Sequence, residues 1–171
     1  MRRARWIRQL IPVALLSMLG VAAAAQKPDI SLVEYQAFRP NLYFGLNGGP
    51  DVPMMAAIRS ESQWWALWAQ LEPKIPRDMD QHRPYPYPPL DFSRKVLLVA
   101  ALGTKATGGY SVSIHSVVES TRNITVNLIV LAPAKNCGVT LTTANPIALA
   151  LIPKTSKPVE FATTQAELIC N

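Results

Sequence analysis

The sequence predicts an α+β protein, mainly β: an antiparallel sheet or sandwich with one tryptophan-rich amphipathic helix packed on it. Three observations predict it. Val96–Leu102 is an unbroken apolar run, as expected of a strand covered on both faces. Tyr110, Val112 and Ile114 alternate with Ser111, Ser113 and His115, and Ile124, Val126, Leu128 and Val130 alternate with Thr125 and Asn127, the period of half-buried strands. Trp64, Leu67, Trp68 and Leu71 instead follow the i, i+3, i+4, i+7 spacing of one buried helix face.

The chain opens on Arg2, Arg3, Arg5 and Arg8, continues through the apolar run Ile11–Val21 and closes on Ala22–Ala25. That is the order of a secretory signal peptide over residues 1–25, with Ala25/Gln26 as the expected scissile bond. The apolar stretch falls short of the roughly 20 residues that span a bilayer. No cysteine stands at the cleavage point to take a lipid anchor, so no stable membrane insertion is expected after cleavage. The expected location is the bacterial periplasm or the exterior. Four of the 17 basic residues lie in this segment, so from Gln26 onward 13 bases face 11 acids, a net of +2. Such a charge gives no basic field for nucleic acid or an anionic membrane.

Residues 26–171 suit a single domain with one hydrophobic core. Ile30 to Phe38 reads as a first strand, with Ile30, Leu32 and Phe38 on one face and Val33 and Tyr35 on the other. Asn47-Gly48-Gly49-Pro50 reads as a turn and Met54–Ile58 as a second strand. Ser60 then opens the helix with Gln63 three residues on, the capping-box spacing, and Pro73 closes it. Trp65 lies off the apolar stripe and is free to face a partner. Six prolines between residues 73 and 89 exclude helix and interior strand, so this stretch is expected as a surface loop. After Val96–Leu102 and the two alternating segments, Ile147–Ile152 and Val159–Phe161 are expected to complete the sheet.

Both cysteines, Cys137 and Cys170, follow the signal segment, and in an oxidising compartment a lone pair is expected to be bridged. No Cys-x-x-Cys and no neighbouring histidine supports a metal or redox role. The two histidines, His82 and His115, stand apart from any nucleophile or carboxylate cluster, no Gly-x-Ser-x-Gly elbow is present, and the acids are scattered singly. No catalytic residue, metal ligand or cofactor is therefore assigned. The segment most able to form a site is Thr107-Gly108-Gly109-Tyr110-Ser111. Its adjacent glycines can turn the chain sharply and expose amides at the tip, or form only a tight connector. Thr107 and Ser111 would flank that tip, and Tyr110 is expected to pack inward and anchor it.

The sequence here resembles the PrcB-like C-terminal domain family, named after a subunit of a bacterial surface protease complex. The resemblance rests on Trp64–Trp68, Asp91-Phe92-Ser93, Leu102-Gly103-Thr104 and Thr107–Val112, with Pro133, Cys137 and Asn145-Pro146 downstream, and runs from about Ile58 to Lys154. It implies an exported, non-enzymatic protein that stabilises or accompanies a protease. A weaker likeness links Thr107–Tyr110 to the Thr-Gly-Tyr loop of chagasin-type cysteine-protease inhibitors. That likeness departs at Val112, where those inhibitors carry tryptophan, and their Arg-Pro-Trp loop has no counterpart. Three function classes stand: a protein-binding module using the Thr107–Tyr110 loop, a direct protease inhibitor using the same loop, and an unrecognised envelope enzyme.

Overall fold

The apolar run at Val96 is the centre of the structure, a computed structural model that describes residues 30–39, 48–71 and 87–170. In chain order the elements are strands β1 (Ser31–Leu32), β2 (Gln36–Ala37) and β3 (Met54–Ile58), helix α1 (Glu61–Leu71), and strands β4 (Lys95–Ala101), β5 (Ser111–Glu119), β6 (Ile124–Pro133), β7 (Ile147–Pro153) and β8 (Val159–Leu168). They make two four-stranded sheets, ordered β1-β5-β6-β8 and β2-β7-β4-β3. The mainly β reading with one tryptophan helix therefore holds.

Strand β4 explains why its sequence is apolar on both parities. Leu97, Val99 and Ala101 pack with Ile58, Trp64, Leu67, Trp68 and Leu71 beneath the helix. Val96, Leu98, Ala100 and Leu102 turn the other way, into the core between the sheets with Val112, Val117, Ile124, Val126, Leu128 and Ile152. The strand is thus in the middle of three layers, α1 above it and the β1-β5-β6-β8 sheet below. Just before it, Asp91 shapes the entry: its carboxylate accepts the Ser93 backbone N–H and hydroxyl, and the hydroxyl bond holds the Asp91 carboxyl below the usual carboxylate range.

The helix starts as its sequence predicts, with one shift of a partner. Ser60 Oγ accepts the Gln63 N–H at 3.3 Å, while Gln63 Oε1 accepts the N–H of Arg59 at 2.8 Å, one residue earlier than a standard capping box. Arg59 also ties the helix start to the far sheet connection, its guanidinium donating to the Thr155 and Lys157 carbonyls. All four predicted stripe residues are buried, and Trp65 is 59% exposed.

Four expectations need correction. The first strand is not continuous: β1 pairs with β5 and β2 with β7, so residues 31–37 step from one sheet to the other. Val33 and Tyr35 go into the core between the sheets, Phe38 packs on the helix side, and Ile30 and Leu32 face outward. Second, the sheet is not wholly antiparallel. The last strand runs on past Phe161 to Leu168 and lies parallel to β6, which the intervening passage through the other sheet allows. Third, β5 carries an irregularity between Ile114 and Ser116 that leaves His115 over. The slip lets Val117 rather than Ser116 point into the core. Fourth, Tyr87 at the end of the proline-rich stretch is no free surface residue. Its ring sits 5.0 Å from Trp65 and 6.0 Å from Trp64, and the Pro88 carbonyl accepts the Trp64 indole N–H at 2.9 Å. The expected signal segment 1–25, Asn47, Pro73, His82 and most of the proline-rich stretch lie outside the described residues.

Candidate functional site: the Thr107–Ser111 loop and its anchor

The connection from β4 to β5 crosses from one sheet to the other, and it begins at a junction of three chain segments. Gly103 takes φ +69°, and a Cβ there would lie 2.7 Å from Pro53 Cδ and 2.8 Å from the Asp51 carbonyl oxygen. Only glycine fits such a conformation without strain. Thr104 then donates its N–H to Asp51 O at 2.9 Å and its hydroxyl to Asp51 Oδ1 at 3.2 Å. Asn145 Nδ2 closes the triangle, donating to Asp51 Oδ1 at 3.1 Å and to Thr104 Oγ1 at 2.9 Å. Lys105 and Ala144 exchange both backbone bonds, and Leu102 N–H reaches Pro146 O. The Leu102-Gly103-Thr104 and Asn145-Pro146 landmarks are thus two sides of one hydrogen-bonded junction.

Beyond it the two connections run side by side. Gly108 donates its N–H to Thr140 O at 3.0 Å, and a Cβ on Gly108 would come within 2.2 Å of Thr140 Oγ1. Gly109 adopts φ +88°, with Val139 Cγ1 at 3.0 Å and Pro133 Cβ at 3.1 Å from where its Cβ would stand. The adjacent glycines therefore serve close approach to the 138–141 loop as well as a turn, and the Gly108 amide is already engaged. Tyr110 corrects the sequence reading: it belongs to neither core cluster, and its half-buried ring lies under Lys105 Nζ, 5.6 Å from the centroid. A contact of that kind contributes about 0.5–1 kcal/mol at an exposed site. It pins the loop from outside rather than from the core.

Thr107, Gly108, Tyr110 and Ser111 are half-buried and Gly109 is exposed. Sequence reasoning missed Leu141, 90% exposed beside the Thr140 that Gly108 contacts. Its only signal was an apolar residue flanked by Thr140 and Thr142. The same end of the molecule holds the predicted disulfide. Cys137 and Cys170 are joined with their Cα atoms 5.3 Å apart, linking the chain just after β6 to the chain just after β8. Pro133, which lies against Gly109, pairs with Leu168. The result is a surface with lysines, small hydroxyls, an aromatic ring and a protruding leucine. Among the described residues no three or more His, Cys, Asp or Glu side chains cluster to hold a metal, and no helix is long and apolar enough to cross a membrane. His115 sits exposed at the β5 irregularity.

Residues 96–153 match the family model described as PrcB C-terminal. The match covers about a third of the 171 residues and runs from the start of β4 to the end of β7. It bears out the PrcB-like resemblance over that stretch, which contains both sides of the junction and the whole Thr107–Ser111 loop. No curated protein and no solved structure matches the chain.

Proposed function

We propose that this chain, PrcB C-terminal in type over residues 96–153, is an exported, non-catalytic module that binds a protease and stabilises or accompanies it. The surface it uses is the Thr107–Ser111 loop with Leu141 beside it. The observation that carries this reading is the pinning of that loop. Gly103, Thr104, Asn145 and Asp51 fix its start, and Gly108 and Gly109 lie against Thr140, Val139 and Pro133. A loop held this way loses little conformational freedom on binding.

The test combines capture with turnover. Immobilised protein is expected to retain a casein-degrading protease from envelope extract of its host, and an equimolar dose is expected to leave the purified protease's turnover unchanged while prolonging its lifetime. Gly109→Val should weaken capture at least tenfold. It forces a β-branched residue to positive φ, costing about 1–2 kcal/mol, and pushes on Val139 and Pro133, so melting should fall by only several degrees. A fall in turnover at equimolar dose would favour the inhibitor reading. Unchanged capture by Gly109→Val would move the binding surface elsewhere.

Export has its own check. Protein isolated from the host is expected to begin at or within a few residues of Gln26, which N-terminal sequencing reads directly. An intact Met1 or Arg2 would overturn it.

A further inference from the structure

The two sheets differ in how their edges are protected. On the β5 side, β1 covers Val118 and Glu119, the Tyr35 hydroxyl donates to Ile114 O at 2.7 Å, and the irregularity at His115 breaks the edge. The edges of the other sheet are short, β2 with two residues and β3 with five. Strand β8 is different: ten residues in unbroken register with β6, no lysine, no proline and no bulge. Those are the devices by which proteins normally block edge pairing. Among the described residues only β6 pairs with it.

Two hydrogen bonds fix which amides are free. Ile124 N–H donates to Pro158 O and Ala134 N–H donates to Leu168 O, so the even-numbered residues of β8 direct their backbone groups at β6. By strand alternation Val159, Phe161, Thr163, Gln165 and Glu167 direct theirs outward. From Ala162 onward every residue of the strand is also exposed at its side chain.

We propose that this edge pairs with β8 of a second copy of the chain, antiparallel about a two-fold axis at Thr163, joining the two sheets into one. Outward-facing residues can meet only outward-facing residues, so Glu160 and Glu167 never stand opposite each other. With the axis at Thr163, Glu160 faces Ala166 of the second copy, Glu167 faces Val159, Phe161 faces Gln165, and Thr163 faces itself. Each acid thus meets an uncharged residue, and threonine opposite threonine is a favourable cross-strand pair. The contact is isologous, so it closes at two copies. The disulfide holds the far end of the strand, so little ordering accompanies pairing.

Sedimentation velocity of the purified protein from about 1 to about 100 µM is expected to show a monomer–dimer equilibrium. Thr163→Pro removes an outward N–H and should raise the dissociation constant at least about tenfold without changing the melting curve, because no bond to β6 is lost. Thr163→Lys, which cannot break the backbone, should do the same by placing like charges face to face. Thr164→Pro, whose amide faces β6, should instead lower the melting temperature. A wild-type monomer at 100 µM overturns the proposal, including the case where this edge receives a strand of a different protein. So does a dimer indifferent to both Thr163 variants, or a Thr164→Pro that melts like wild type.

Discussion

Replacing Trp64 with alanine is expected to destabilise the fold by about 3–5 kcal/mol, the range for removing a fully buried large side chain. Trp64 has no exposed surface and sits where α1 meets the β2-β7-β4-β3 sheet. Its ring lies 5.4 Å from Trp68, 6.0 Å from Phe38 and 6.0 Å from Tyr87. Its N–H is the donor to Pro88 O, so truncation also strands a carbonyl and releases the chain that covers the helix. At about 2–4 °C per kcal/mol for a domain of this size, the melting temperature should drop by about 10 °C or more. Trp64→Phe should recover most of the packing and still lose about 1–3 kcal/mol for the unmet carbonyl.

The neighbouring residue is the control. Trp65 is 59% exposed and among the described residues its ring meets only that of Tyr87, so Trp65→Ala should cost under about 1 kcal/mol. Burial, with Glu61 nearby, raises the Tyr87 pKa above its ordinary value, consistent with a ring tucked against the helix. Thermal melts of the three variants decide the matter. If Trp64→Ala and Trp65→Ala melt together, the tryptophan stripe is not the core of the upper layer.

What the sequence revealed, and what it hid, follows from where the burial lies. Strand β4 and helix α1 were legible because each is buried by its own regular pattern, both parities in one and a 3.6-residue stripe in the other. Residues 162–168 were illegible as strand because nothing there is buried. They are held by a ladder to β6, and a backbone ladder leaves no mark on side-chain choice. The irregularity at His115 was hidden for a related reason: Ile114 and Val117 are both apolar, and the alternation breaks only between them. At the candidate site the glycines signalled that something needed room. The residues that take up that room, Thr140, Val139 and Pro133, lie 24 or more positions downstream, and no local pattern ties them to Gly108 and Gly109. Leu141 entered the site by the same long-range contact.

Removing the disulfide should be nearly as damaging as removing Trp64, with the damage focused at one end of the molecule. Cys137 and Cys170 close a loop with a sequence separation of 33. In the chain-entropy picture such a link stabilises by about 3–4 kcal/mol at 25 °C. The native arrangement amplifies the local effect. Beyond Phe161 the last strand has no buried side chain, so among the described residues its ladder to β6 and the sulfur link hold it in place. The double variant Cys137→Ser/Cys170→Ser is expected to lower the melting temperature by about 10 °C. Hydrogen exchange should show the loss in sequence order. The β6-facing amides of Leu168, Ala166 and Thr164 should lose protection first, while Glu160, beside the half-buried Val159 and Phe161, keeps it. Fraying there also withdraws Leu168 from Pro133, the residue lying against Gly109, so capture through the Thr107–Ser111 loop should weaken in the same variant. Wild-type melting together with full protection at Thr164, Ala166 and Leu168 would show that the β6 ladder alone holds the strand and that the sulfur link adds nothing to this end.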